Sequence, residues 1–275
     1  MPKIAIINDI HCNYLMLKKT LNYLKDKNID KYIICGDSIT DGYENNLVID
    51  TIKKLNPIII NGNRELSIIN YNGRDWQNSL QYASMLYTYD TLSKENKEYL
   101  KTLSTYKIVT IAGFKFCISH GSPYHVRDLI KGTDTKTFAK LIKDFNCDIY
   151  LFAHTHKPFY KEFKGKTFIN VGSFLPATKK PVATFGHLLI DGKKINYELI
   201  EINYTAEEIK NYYIGSPLYQ KCPEWCNLLI WEYINGIDYC NDFIKYLNKH
   251  YKIIDNNTWK IGFPKYMAEK QLDIF

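Results

Sequence analysis

The chain has 275 residues, 45% of them hydrophobic and 24% charged, with a formal net charge of +7. This is ample apolar material for a buried core and excludes a disordered or fibrous chain. The positive balance suits an anionic ligand, but the lysines are scattered, clustering only in pairs such as Lys18-Lys19, Lys53-Lys54 and Lys179-Lys180, which argues against a nucleic-acid-binding stripe.

The first segment, Lys3 to Ile7, is an apolar run rich in β-branched residues and reads as a buried strand. It is too short for the apolar core of a signal peptide, and no stretch reaches the roughly 20 apolar residues of a membrane span, so a cytoplasmic location is expected. Leu15, Leu17, Leu21 and Leu24 place a helix over Asn13 to Lys25. Tyr32 to Cys35 is a second strand, Leu47 to Leu55 a short helix and Pro57 to Ile60 a third strand. This alternation predicts parallel strands with helices packed on them.

Residues 78–103 read as helical with a break near Ser93. Tyr106 to Ile111 and Phe114 to Ser119 read as a hairpin turning at Ala112-Gly113. Thr135 to Asp144 is a helix pattern, followed by strands over Asp148 to Phe152, Phe168 to Ser173 and Ala183 to Ile190. From about Ala206 the chain is rich in Tyr, Trp, Asn and Lys and helical in period, which divides it into a domain over 1–202 and a helical appendage over 203–275. Aromatic residues there, among them Tyr212, Tyr213, Trp225, Tyr233 and Phe243, read as packing or as a stacking surface for a base. The seven cysteines form no regular framework, and Cys222 and Cys226 lie one residue too far apart for a CxxC, so reduced thiols are expected.

Polar motifs follow the predicted strands. Asp9 and His11 come after the first, Asp37 after the second, Asn63 and Arg64 after the third, His120 after the hairpin, and His154 and His156 after Phe152. Ligands of open α/β sheets bind at the carboxyl ends of strands, so these residues should meet at one place. Four of the chain's seven histidines are in the set. Carboxylates, imidazoles and one amide oxygen suit manganese, iron, zinc or nickel. Asp37, with two carboxylate oxygens, would bridge two ions, and two such ions about 3.5–4 Å apart clamp a phosphate and generate a nucleophilic hydroxide.

The ordered series Asp9-x-His11, Gly36-Asp37-x-x-x-Asp41-Gly42, Gly62-Asn63-Arg64-Glu65, His120-Gly121 and Ala153-His154-Thr155-His156 resembles the calcineurin-like metallophosphoesterase superfamily over residues 1 to about 200. The His120-Gly121-Ser122-Pro123 run and the Asn170-Val171-Gly172-Ser173 segment look most like its small bacterial phosphodiesterase branch. The resemblance implies an α/β fold, a four-layer α/β/β/α sandwich with a mixed sheet pair. It also implies two divalent ions, manganese first. Asp9, His11, Asp37 and His156 would hold one ion, and Asp37, Asn63, His120 and His154 the other. The expected activity is hydrolysis of a phosphodiester by a metal-bound hydroxide, with Asp37, Arg64 and His120 as the catalytic set. The partner is then a small phosphoester or a nucleotide, with neither a membrane nor stable nucleic-acid binding expected.

One position departs from the family pattern. Arg64 stands where the family has a histidine that protonates the leaving group, and arginine, with a pKa above about 12, binds phosphate but gives up no proton. Either the substrate has a good leaving group, or His125 supplies the acid, or turnover is weak; the plainer reading of His125 is a surface loop residue. Ala153 replaces a glycine and is tolerable at negative φ. Asn13 reads as a phosphate contact or a helix cap, Cys12 as a small residue beside the ligands, and Asp41 as a residue that shapes its loop. Arg127 and Asp128 are weaker pocket candidates. The rival functions are a monoesterase or protein phosphatase, a metal-binding regulatory scaffold, and a nuclease.

Overall fold

The computed structural model describes residues 1–74 and 76–275. Among the described residues ten strands run in chain order: β1 (Lys3–Ile7), β2 (Lys31–Ile34), β3 (Ile58–Ile59), β4 (Tyr106–Ile111), β5 (Phe114–Ser119), β6 (Ile149–Phe152), β7 (Phe159–Phe163), β8 (Lys166–Asn170), β9 (Val182–Asp191) and β10 (Lys194–Asn203). They form two five-stranded sheets, in the orders β10-β9-β1-β2-β3 and β4-β5-β6-β8-β7. β1, β2 and β3 are mutually parallel, as are β5, β6 and β8, while the remaining pairings are antiparallel.

The alternation of side chains along each strand builds the layers. Ile4 and Ile6 of β1 face Phe116, Ile118, Ile149 and Leu151 across the gap between the sheets. Ala5 and Ile7 point to the opposite face and enter a second core. Cys117, Tyr150, Phe152 and Phe168 on the outer face of the second sheet meet Phe138 and Leu141 of α6 (Thr135–Phe145). The result is the four-layer α/β/β/α sandwich with mixed sheets that the motif series implied.

The helices before α6 are α1 (Tyr14–Leu24), α2 (Asn45–Lys54), α3 (Asn63–Ile69), α4 (Ala83–Thr91) and α5 (Lys94–Lys101). Asn13 accepts the Met16 N–H at 2.9 Å and so caps α1. Ser93 caps α5, which places the break in the 78–103 segment where it was expected. After β10 come α7 (Ala206–Tyr213), α8 (Pro217–Lys221), α9 (Pro223–Asn235), α10 (Tyr239–His250) and α11 (Asn256–Lys270). Their apolar faces do not form a separate core. Tyr213, Leu228, Tyr233, Phe243 and Trp259 belong to the same cluster as Ala5, Ile7, Ile34 and Phe185 of the first sheet. Among the described residues no helix is long and apolar enough to cross a membrane.

Sequence reading did not single out β7, β10 and α3. β7 and β10 are edge strands without a continuous apolar run, β7 having Lys161 and Glu162 at its centre and β10 alternating polar and apolar residues, and α3 has only seven residues. β8 starts earlier and ends earlier than the apolar run suggested, leaving Val171 to Ser173 as a loop.

Candidate metal centre

The parallel strands of both sheets deliver their carboxyl ends to one edge. Asp9 and His11 follow β1, Asp37 follows β2, and Asn63 opens α3 just after β3. His120 follows β5 directly, while His154 and His156 follow β6. Backbone bonds stitch the loops within a sheet: His11 N–H donates to the Asp37 carbonyl at 2.9 Å and Ala153 N–H to the His120 carbonyl at 2.7 Å. Side chains stitch the two sheets together. The Asn8 amide donates to the Phe152 carbonyl at 2.7 Å, His120 Nδ1 to the Cys35 carbonyl at 2.8 Å, and the Ser173 hydroxyl to the Asp9 carbonyl at 3.0 Å.

The turns are tight and strained. Asp9, His11, Asp37, His154 and His156 all have positive φ, between +46° and +65°. Each such non-glycine residue costs on the order of 1–3 kcal/mol, and clusters of them mark functional loops. Ala153 keeps a negative φ, so its methyl is no obstacle. Two glycines are required by close approach: a Cβ on Gly62 would collide with the Asp37 carboxylate, and a Cβ on Gly36, at φ +87°, with the Gly62 backbone.

Six of the expected ligands gather into two groups, Asp9/His11/His156 and Asp37/His120/His154, with the candidate atoms of each group within 4.8 Å of one another. His11 Nε2 and His156 Nε2 are 3.0 Å apart. His120 Nε2 lies 3.4 Å from Asp37 Oδ2 and 3.1 Å from Asn63 Oδ1, which brings the seventh residue to the second group. Asp9 Oδ1 is 3.7 Å from His156 Nε2 and 3.9 Å from His120 Nε2, facing both groups. That oxygen is buried and has no hydrogen-bond partner. An orphaned carboxylate oxygen among converging imidazole nitrogens is the arrangement that divalent cations complete, so the residues fit a two-ion centre.

The site's buried charges shift one another: burial lowers His120, but Asp37 outweighs it and raises that imidazole to about 9. Burial pushes the Asp9 carboxyl up to about 7, against the pull of His120. Burial also works on Asp37, but His120 outweighs it and holds that carboxyl below the usual carboxylate range. Burial and the neighbouring His120 lower His154 to about 4; burial and His11 take His156 well below its ordinary value. Both of those imidazoles are therefore neutral, with a lone pair free for a cation.

The other residues singled out from the sequence have distinct places. Arg64 lines the cleft beside the ligands, its backbone N–H on Asp37 Oδ1 at 2.8 Å and its guanidinium on Asp41 Oδ2 at 3.2 Å. Asp41 Oδ2 also takes His11 Nδ1 at 3.0 Å, so Asp41 acts on a ligand as well as on its loop. Asn13 caps α1 with its side-chain oxygen. Cys12 is fully buried, as are the other cysteines. His125 is 65% exposed, pairs loosely with Asp128 and does not line the cleft. Arg127 is also exposed and reaches only the Ser67 hydroxyl, at 3.5 Å.

Glu65 and Trp225 carry more than the sequence reading gave them. The Glu65 carboxylate accepts the N–H groups of Asp37, Ser38, Ile39 and Gly62 at 2.6–3.3 Å, binding two ligand loops together. The available signal was a glutamate three residues into a helix, positioned to reach back to its start. Trp225 donates its indole N–H to Asp41 Oδ1 at 3.1 Å, and no local pattern marks that contact.

A cleft of about 1130 Å³ opens over the centre. Its lining includes Leu129 to Thr133, Lys157 to Phe159 and, from α9 and α10, Trp225, Leu229, Glu232 and Lys245.

A family model described as the calcineurin-like phosphoesterase superfamily domain matches residues 2–193. An uncharacterised protein of Methanocaldococcus jannaschii is 25% identical over 242 residues, covering 81% of this chain and 94% of its own. A crystal structure of a metallophosphoesterase from Sphaerobacter thermophilus superposes with a TM-score of 0.70 at 20% identity, covering 86% of this chain and 99% of that one. A hypothetical protein of Pyrococcus horikoshii gives a TM-score of 0.68 at 22% identity, with 83% and 98% covered. At these identities the structural likeness is one of fold.

Proposed function

The chain belongs to the calcineurin-like phosphoesterase superfamily, and from that premise we propose that it hydrolyses a phosphodiester at a centre holding two divalent transition-metal ions, manganese in the first instance. The observation that carries the proposal is the pair of convergent groups, Asp9/His11/His156 and Asp37/His120/His154, with Asn63 beside the second and the orphaned Asp9 oxygen between them. When bound, the ions would supply Lewis-acid neutralisation of the phosphoryl charge and activation of water.

The chain's own residues do the rest. Asp9 faces both imidazole groups and Asp37 faces His120 of its own group; each carboxylate has the two oxygens that a bridge between ions would need. Arg64 presents a guanidinium a quarter exposed to the cleft, where it holds phosphoryl oxygens and stabilises charge that develops on them. It donates hydrogen bonds but no proton at neutral pH. His125, outside the cleft, does not replace the missing acid. The substrate therefore carries a leaving group that departs without protonation. The diester is preferred over a monoester on the resemblance of the His120-Gly121-Ser122-Pro123 and Asn170-Val171-Gly172-Ser173 segments to the phosphodiesterase branch, and a cleft of about 1130 Å³ has room for a second ester substituent.

Purified protein with Mn²⁺ should hydrolyse bis-p-nitrophenyl phosphate faster than p-nitrophenyl phosphate, and His120→Ala should abolish both. Preference for the monoester would overturn the diester reading. A second reading, a metal-binding protein with little turnover, draws on Arg64 at the proton donor's place. Tight Mn²⁺ binding without hydrolysis of any ester would favour it.

A further inference from the structure

The C-terminal helices reach the loops of the metal centre by hydrogen bonds to backbone carbonyls from Tyr212 and Tyr213 and by one bond to a side chain, from Trp225. Trp225 lies in the first turn of α9, outside the segment matched by the family model. It is 5% exposed, and its indole N–H reaches Asp41 Oδ1 at 3.1 Å. The other carboxylate oxygen, Oδ2, takes His11 Nδ1 at 3.0 Å, the Thr40 hydroxyl at 3.0 Å and the Arg64 guanidinium at 3.2 Å. The Asp41 backbone is held as well: its N–H donates to the Ser84 hydroxyl at 2.6 Å and its carbonyl accepts the Tyr213 hydroxyl at 2.9 Å.

This arrangement has a direct mechanical meaning. The two carboxylate oxygens turn together about the Cβ–Cγ bond, so a hydrogen bond on Oδ1 adds to the restraint that the three partners of Oδ2 place on the carboxylate plane. Asp41 also sits at φ +66°, a conformation an aspartate keeps only where its surroundings enforce it. The indole N–H is the only contact on Oδ1 among the described residues. It therefore reinforces, from the other oxygen, the plane in which Oδ2 meets both a candidate ligand, His11, and the guanidinium of Arg64. Groups that orient a ligand histidine through its second nitrogen set its tautomer and affect metal affinity.

We propose that Trp225 is a positioning residue of the metal centre: by clamping Asp41 it aims His11 and Arg64, and so makes α9 a working part of the site. This rests on the two-ion phosphoesterase reading for its purpose, but the clamp is testable without it. Trp225→Phe keeps an aromatic ring on the side of Trp259, whose ring centroid is 6.0 Å away, and removes the N–H together with the five-membered half of the indole, so thermal unfolding reports the cost of the lost volume separately.

Three measurements are compared in the wild type, Trp225→Phe, Asp41→Ala and the double variant. In metal-free protein, phenylglyoxal labelling is followed by mass spectrometry at Arg64, with Arg74 and Arg127, the chain's other two arginines, as internal controls. Mn²⁺ affinity is read by calorimetry, and thermal unfolding reports stability. Trp225→Phe should speed Arg64 labelling several-fold, leave Arg74 and Arg127 unchanged, and weaken Mn²⁺ binding about tenfold. On the Asp41→Ala background it should change neither quantity further. Unchanged Arg64 labelling in Trp225→Phe overturns the proposal, as does an effect that adds to that of Asp41→Ala. Should Asp41→Ala fail to fold, the single Trp225→Phe labelling result decides alone. Absence of Mn²⁺ binding in the wild type would refute the two-ion reading, while Arg64 labelling would still judge the clamp.

Discussion

Replacing Arg64 separates phosphate binding from leaving-group chemistry. Its guanidinium is anchored on Asp41 at 3.2 Å and a quarter exposed, so it is held toward the cleft without being sealed off from it. Removing a charge-assisted hydrogen bond to a phosphoryl oxygen costs about 1.5–3 kcal/mol. Arg64→Ala should therefore lower kcat/KM roughly 10- to 150-fold, by a similar factor for every leaving group. Arg64→His does something different. An imidazole with an ordinary pKa of about 6.5 is a proton donor near neutrality, and a placed general acid is worth on the order of 10²–10⁴-fold. That gain appears only where the leaving group is a poor one. The assay compares methyl p-nitrophenyl phosphate with methyl phenyl phosphate, whose phenolate leaving group has a conjugate acid of pKa about 10. The ratio of the two rates should be large and equal in wild type and Arg64→Ala, and at least tenfold smaller in Arg64→His. An equal ratio in all three proteins would show that no proton donor is missing at this position.

Two further substitutions probe the scaffold. Glu65→Ala leaves the N–H groups of Asp37, Ser38, Ile39 and Gly62 without their acceptor; at about 1 kcal/mol or more for each buried group, it should lose at least about 3 kcal/mol in urea unfolding, and an unchanged midpoint would refute the loop-stitching role. Glu232, 2% exposed and accepting the Cys240 N–H at 2.6 Å, has its carboxyl raised well above the ordinary value by burial and by Asp238. A raised acid is protonated in the folded state while ionised in the unfolded one, so the wild type loses stability as pH climbs above about 4.3, by up to about 1.4 kcal/mol per unit. Glu232→Gln keeps the acceptor and removes the titration; its stability relative to wild type should rise from pH 5 to pH 8, and a constant difference would contradict the assignment.

The uneven legibility of the chain has a physical basis. β1, β2 and β3 announce themselves because strands covered on both faces must be apolar throughout, as Ile4 to Ile7 and Ile33 to Cys35 are. The candidate ligands are legible because few residue types bind hard cations and because strand ends are where a sheet presents them. β7, with Lys161 and Glu162 at its centre, and β10, whose apolar residues are interrupted by Asn196, Glu198 and Glu201, lack the continuous apolar run by which the inner strands are read. The same limit governs α9. Its helical period is plain, but the period of Leu228, Leu229 and Tyr233 tells only that a face is buried. Trp225, Leu229, Glu232 and Gly236 recur at helical spacing along the face that meets the cleft, and nothing in the apolar pattern distinguishes a face that meets a core from one that meets a site. What distinguishes them is polar: an indole N–H and a carboxyl buried on that face need partners, and the indole finds its own 184 residues away on Asp41. Buried polar atoms on an otherwise apolar helix face are thus the trace by which a helix far along the chain betrays its part in a site built from the first strands.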